Sequence, residues 1–317
     1  MPNTHEHDEA NDPVADLIRQ AGPTTALPDF ALEELAAPAL AAWNTKVRSR
    51  RRKRRLALLA AAALLALGTL VLWRLFSPSQ TVPTVVAAGG GSHFEVGTKL
   101  AENARVATGS EPAEWITLRL SVGHEIRIDA ATEIDLPSDR RIDLLQGAVY
   151  VVASEAPLIV HASNLETEHL GTRYEVRVHE DGSSEVRVRE GRVRASLSSG
   201  SMDIERGQRL VVSPAAEITV AESPPFGASW DWTRHAAPAF ASDGATLEEL
   251  LDWVAGETGR HIEFDPQLVT DEGGQPVRIY GSIEGLEPLE ALQQVLDGAG
   301  LEARRSGEHL RVFDGPE

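Results

Sequence analysis

The chain has 317 residues, 25% of them charged, with a formal net charge of −18 and no cysteine. This length suits about two domains of ordinary size. The missing thiols exclude disulfides, thiol nucleophiles and Cys-ligated metals. Residues 77–317 carry forty acids against twenty bases, a field that repels nucleic acid, so no direct nucleic-acid partner is expected.

Residues 1–47 are too few for a self-sufficient core. They hold two short helical signals. In DPVADLIRQAG, Asp12 is a cap, Pro13 opens the helix, Val14, Leu17 and Ile18 share a face, and Gly22 is the stop. In PDFALEELAAPALAAWNTKV, Leu32 and Leu35 lie on one stripe, Pro38 breaks or kinks it, and Leu40, Trp43 and Val47 continue it. Such pieces cannot bury their own faces, which suits folding on a partner. A tail without a partner, ending in a membrane-proximal helix, is the competing reading.

Seven of the eight residues 48–55 are basic, among them Arg50, Arg51, Arg52, Lys53, Arg54 and Arg55. The next 21, Leu56–Phe76, contain no Pro and only Arg74 as a charge. As a helix they would be roughly 31 Å long, the thickness of a bilayer's hydrocarbon core. A soluble core helix rarely lacks a polar face over this length. A basic flank before a span is retained in the cytoplasm, and too much chain precedes it for an ordinary cleaved leader. The expectation is a cytoplasmic tail (1–47), a basic topology flank (48–55), one membrane-spanning helix (56–76) in the inner, cytoplasmic membrane, and an exported, periplasmic body. The run could also be read as a nuclear signal, but its position against the span argues otherwise.

Residues 77–92 read as a Pro/Gly-rich linker. From 93 to 220 the apolar residues alternate with polar ones. Tyr174, Val176 and Val178 alternate with Glu175, Arg177 and His179, and Val186 and Val188 with Glu185, Arg187 and Arg189. Turns fall at 180–183 and at Glu190-Gly191. Period two with turns at this spacing predicts antiparallel strands with one buried face, in an all-β sandwich or rolled sheet. Gly171 and Gly191 sit where a positive φ suits glycine. Arg187, Arg189, Arg192 and Arg194 form a basic stripe, read as a solvated sheet face with Glu175 and Glu185 as cross-strand partners; docking of an anionic partner is the alternative.

At these residues the chain resembles the FecR family of envelope regulators. LGTRYEV (Gly171, Thr172, Tyr174, Val176), then VRVREGRVRA (Glu190, Gly191, Val193), then LVVSP follow that family's ordered strand series, after AATEIDL, RIDLLQGAVYVVAS and PLIVHA upstream. The resemblance spans roughly residues 93–215. RLSVGHEI stands where the family has an LPDGS turn, QGAVY where it has GEAFF, and the tail keeps one tryptophan, Trp43, in place of a Trp-rich head. The family implies an anti-sigma-like membrane sensor whose tail meets an extracytoplasmic-function sigma factor. The tail's Leu32, Leu35, Leu40 and Trp43 are the candidate contacts.

Residues 221–240 read as a connector in which Trp230 and Trp232 either dock on a domain or form a partner hot spot. In 241–317 the period changes. Thr246 and Glu249 make a capping box, Leu247, Leu250, Leu251 and Val254 a helix face, and Gly259 a stop. HIEFD follows as a strand. A second helix opens at Pro288 with Leu289, Leu292, Val295 and Leu296 and stops at Gly298 or Gly300. A hairpin then turns at Ser306-Gly307. This is a small α+β domain of two helix–strand halves, similar to the short N-terminal (STN) domain of secretins and TonB-dependent receptors. That similarity implies a partner: the signalling domain of an outer-membrane receptor, or a secretin. No phosphate loop, GxSxG or HExxH occurs. The sequence therefore reads as a non-enzyme without catalytic residue, cofactor or metal. An envelope structural or assembly protein, with the tail only an anchor, is the alternative.

Overall fold

The computed structural model describes residues 19–22, 82–101, 103–271 and 273–315. The expected span 56–76, its basic flank and the tail contacts Leu32, Leu35, Leu40 and Trp43 lie outside the described residues. Among the described residues no helix is long and apolar enough to cross a membrane. Arg19 and Gln20 are helical, and Gly22 takes φ +70°, the conformation of a left-handed helix stop.

Fourteen strands form one continuous hydrogen-bonded network that rolls over on itself. The first sheet contains β1 (Thr84–Ala88), β3 (Ile116–Arg119), β4 (Glu125–Ile128), the second half of β6 (Arg141–Val152), β9 (Arg173–Val178), β10 (Ser184–Glu190), β13 (Gln208–Val212) and β14 (Ile218–Glu222). These pair antiparallel in that spatial order. The second contains β2 (Ala104–Ala107), β5 (Glu133–Ser138), the first half of β6, β7 (Ile159–Ala162), β8 (Leu165–His169), β11 (Arg192–Leu197) and β12 (Gly200–Glu205). Strand β6 belongs to both, changing sheets at Gly147. The pairing is antiparallel except between β6 and β7, which run parallel. The segment read as linker 77–92 contributes β1, a departure from the expectation: the run Val85–Ala88 finds an open edge beside β3.

The alternation explains the core. Ile116, Leu118, Ile126, Ile128, Val149, Val151, Tyr174, Val176, Val186 and Val188 from the first sheet meet Ile134, Ile142, Val160, Val193 and Ala195 from the second, all with no exposed surface. Their partners in the alternation face away. On the second sheet these partners are mostly in solvent. On the first sheet they are covered.

The connector supplies part of that cover through a 3-10 turn (Ala228–Trp230) and a one-turn helix α1 (Asp231–His235). Beyond it lie α2 (Leu247–Thr258), β15 (His261–Glu263), a 3-10 turn (Pro266–Val269), α3 (Pro288–Ala299), β16 (Leu301–Ser306) and β17 (His309–Asp314). The expected capping box is present: Thr246 Oγ1 accepts from Glu249 N at 3.1 Å, and Glu249 accepts from Thr246 N at 2.7 Å. Gly259 and Gly300 stop the two helices in the left-handed region. The three strands form a sheet in the order β15-β17-β16, with β15 parallel to β17 and β16–β17 a hairpin. Leu250, Leu251, Val254, Leu292, Leu296, Leu310 and Val312 fill the space between helices and sheet.

Candidate functional site

The motif residues form a structural corner. The chain leaves the second sheet through Leu170-Gly171-Thr172 to enter β9, and returns to it through Gly191 into β11. The two corners stack. Leu170 N donates to Arg192 O (3.1 Å) and Ala153 N to Thr172 O (3.0 Å). A Cβ on Gly191 would lie 2.4 Å from Gly171 O and 2.7 Å from Thr172 Cγ2, at φ +76°. Only glycine fits there, on two grounds: backbone conformation and backbone approach. Thr172 is buried, and Tyr174, Val176 and Val193 are core. Glu190 pairs with Arg173 at 3.2 Å on the surface, a contact of small energetic weight. The structure thus brings all seven motif residues to one corner and its flanking strands, where they set the path between sheets.

The outer face of the first sheet is the less expected feature. Glu125 and Arg127 on β4, Tyr150 on β6, Arg173, Glu175 and Arg177 on β9, and Arg187 and Arg189 on β10 all point to this side. The stripe read as solvated is split in two. Arg192 and Arg194 pair with Asp203 near solvent on the second sheet. Arg187 and Arg189 instead lie beneath the connector. Trp230 has no exposed surface. Its ring lies under two guanidinium groups, Arg187 at 4.2 Å and Arg189 at 4.5 Å from the centroid, and meets Tyr150 edge-on at 6.0 Å. Its Nε1 donates to Pro224 O (2.9 Å). Trp232 Nε1 donates to Glu175 Oε2 (3.2 Å), and that buried carboxylate also accepts from Arg177 (2.9 Å) and from Arg187. Arg187 and Arg189 are therefore the seat of the connector, and both tryptophans dock on the first sheet.

The terminal domain is held to the same face by one buried ion pair. Arg127 donates to both carboxylate oxygens of Glu257 on α2, at 2.6 and 2.7 Å, and both side chains are at most 3% exposed. The remaining donors of Arg127 reach Glu125 (2.9 and 2.8 Å) and Thr233 O (2.6 Å). This bidentate geometry is among the stronger charge-assisted arrangements. Burial works against both charges. For Arg127, Glu257 and then Glu125 more than offset it and hold the guanidinium above its ordinary pKa. For Glu257, Arg127, Arg173 and Arg189 more than offset it and hold the carboxyl below its ordinary value. Gly256 leaves room for the Arg173 guanidinium on α2, since a Cβ there would sit 2.3 Å from Arg173 Cζ and push that side chain aside. Further out, Arg206 bridges Glu308 (3.1 Å) and Gly259 O (3.0 Å), and Arg260 lies over Phe226.

Sequence reasoning found Trp230 but not Arg127 or Glu257. Glu257 had a legible signal, since it falls three residues after Val254 and seven after Leu250, on the apolar stripe of α2, where a lone carboxylate needs a partner. Arg127 had none: an outward residue on an alternating strand looks like every solvated one. Beside the junction a cleft of about 560 Å³ is lined by Arg119, Arg173, Asp243, Glu249 and the stacked pair Phe240–Trp253. Among the described residues, no group of three or more His, Asp or Glu is arranged to hold a metal ion.

Fold and junction together define a class of protein: a rolled β-sheet body carrying a small α+β module on a buried ionic seat, organised around surfaces. Residues 104–194, from β2 into β11, match the family described as FecR protein. That segment contains the interlocked Gly171–Gly191 corner and ends before the connector and terminal domain. Two crystal structures of a candidate anti-sigma factor from Parabacteroides distasonis ATCC 8503, at 1.65 and 2.50 Å, are similar to this chain. They share 16% and 17% identity with it, cover 67% of it and 100% and 99% of their own chains, and have a TM-score of 0.37 in both cases. No curated protein matches the chain.

Proposed function

We propose that this protein is a single-pass inner-membrane signal transducer of the FecR type. It relays an event in the periplasm to a cytoplasmic extracytoplasmic-function sigma factor through protein–protein contacts. The observation that carries the reading is the FecR match over residues 104–194 in a chain where seven basic residues and then a 21-residue, mostly apolar run with Arg74 as its one charge precede that segment. In this reading the run 50–55 fixes topology, residues 56–76 cross the membrane, and Leu32, Leu35, Leu40 and Trp43 contact the sigma factor. The terminal domain, residues 241–317, receives an outer-membrane receptor's signalling domain or a secretin. Release of the tail by regulated proteolysis is the expected mode of relay.

Coexpression of residues 1–47 with the sigma factor encoded nearest the gene tests the reading. Copurification of the two, lost on replacing Leu35 and Trp43 by Ala, supports it; a soluble tail that binds no such sigma factor overturns it. One feature favours a second reading. The tail has a single tryptophan, which suits an envelope assembly protein whose tail is only an anchor. Deleting residues 1–47 without loss of function would select that alternative.

A further inference from the structure

The outer face of the terminal sheet is open, and it sets two arginines side by side in an acidic domain. Residues 241–317 contain seventeen acids and five arginines. Four of the five arginines, Arg260, Arg304, Arg305 and Arg311, lie on or beside the three-stranded sheet. Alternation puts Leu301, Ala303, Leu310 and Val312 against the helices. It turns Glu302, Arg304 and Ser306 of β16, His309, Arg311 and Phe313 of β17, and Glu263 of β15 to the other side, where all but Glu302 line a shallow depression of about 600 Å³.

Register makes the arrangement specific. Arg304 and Arg311 are directly opposite across the β16–β17 ladder. Like charges in that position oppose folding unless something neutralises them. Glu263 is level with Arg311 across the parallel β15–β17 pair, but its carboxylate is taken by His309 Nδ1 at 2.8 Å. Among the described residues neither arginine has a carboxylate partner; Arg304 lies over Phe313 at 5.5 Å. Other surface arginines of the body, such as Arg105, Arg141 and Arg194, are paired with carboxylates. Among the described residues no strand lies beyond β16, so it is a free edge.

We propose that this face docks an extended acidic segment of a partner protein, with alternate carboxylates reaching Arg304 and Arg311 and an apolar side chain on Phe313. Strand addition at the β16 edge would supply the backbone contacts, and the paired guanidinium groups the selectivity for carboxylate. The inference deepens the reading of the terminal domain as the receiving module. It is independent of the tail, because its test reads only this face.

The test uses the full chain in detergent and a fluorescein-labelled peptide of sequence Glu-Val-Glu-Val-Phe-Val-Glu, whose Glu and Phe side chains share one face of an added strand, followed by fluorescence anisotropy. The expected result is binding that weakens as salt rises, at least tenfold weaker for Arg304→Gln/Arg311→Gln and at least tenfold weaker for the peptide with Gln in place of Glu. Both arginines are exposed, so the double variant should keep its thermal transition; should it not, Arg304→Lys/Arg311→Lys, which keeps charge but not bidentate geometry, gives an intermediate loss. No binding, or binding equal in parent and variant, overturns the proposal. Preferential binding of an oligonucleotide or of phosphatidylglycerol vesicles through the same arginines also overturns it, as does self-association that these substitutions abolish.

Discussion

Glu257 and Arg127 decide what the junction tolerates. Removing one partner of a buried ion pair leaves the other charge without compensation and typically costs about 3–5 kcal/mol. Glu257→Gln should therefore lower the thermal midpoint by many degrees in calorimetry, whereas Arg105→Ala, which breaks an exposed surface pair, should leave it nearly unchanged. Acid should act on the same group. The folded-state pKa of Glu257 is depressed, so its contribution is full above the unfolded carboxylate's pKa and is lost as pH falls through the folded value. His124 adds an earlier phase. It is fully buried, 5.2 Å from the His169 ring, and its Nδ1 accepts from Ser154 N at 2.9 Å. Burial first, and His169 next, lower its pKa from 6.5 to about 4. The unfolded chain binds this proton between those values and the folded chain does not. Stability should thus be full above pH 6.5 and decline as pH falls to about 4, by up to about 3 kcal/mol. Urea titrations across that range should show the decline in the parent and a flatter profile in His124→Gln.

Among the elements, the corner and the connector carry separate loads. Gly191→Ala combines a positive φ with a Cβ pressed against Gly171 O and Thr172; a loss of about 2–4 kcal/mol, or failure to fold, is expected by chemical denaturation. Trp230→Ala empties a fully buried site and strips two guanidinium groups of their aromatic partner, costing about 3–5 kcal/mol. Much of this scale was legible in the sequence. Strands β9, β10 and β11, the caps of α2 and both helix stops follow from alternation, Thr246–Glu249 and glycine placement, because those signals are local. The parallel β6–β7 pair, the pairing of β1 and the burial of Arg187 and Arg189 were not legible. They depend on which strand lies beside which, and on what covers a sheet face, and both are set by contacts between separate segments of the chain, such as Arg141–Ile159, Arg127–Glu257 and Arg187–Trp230. The motif read as a family signature proved to be a corner, so its residues speak for the architecture of the body. The tail contacts Leu32, Leu35, Leu40 and Trp43 rest on the sequence reading.

For the molecule as a whole, the consequence is mechanical. The β-body and the terminal domain share a buried, ion-paired seat, and separating them would strip the Glu257 carboxylate of Arg127 and Arg173. Whatever engages the terminal sheet therefore acts on the whole of residues 82–315, and the body passes a pull or a displacement on as one piece. The measurement that bears most directly on this claim is a spin–spin distance in the full chain. The absence of native cysteine makes the labels unambiguous. With Ser201→Cys on the exposed β12 and Gln293→Cys on the exposed side of α3, a single narrow distance distribution is predicted, broadening when Glu257→Gln and Trp230→Ala are added. A broad or bimodal distribution in the labelled chain without those two substitutions would contradict the account.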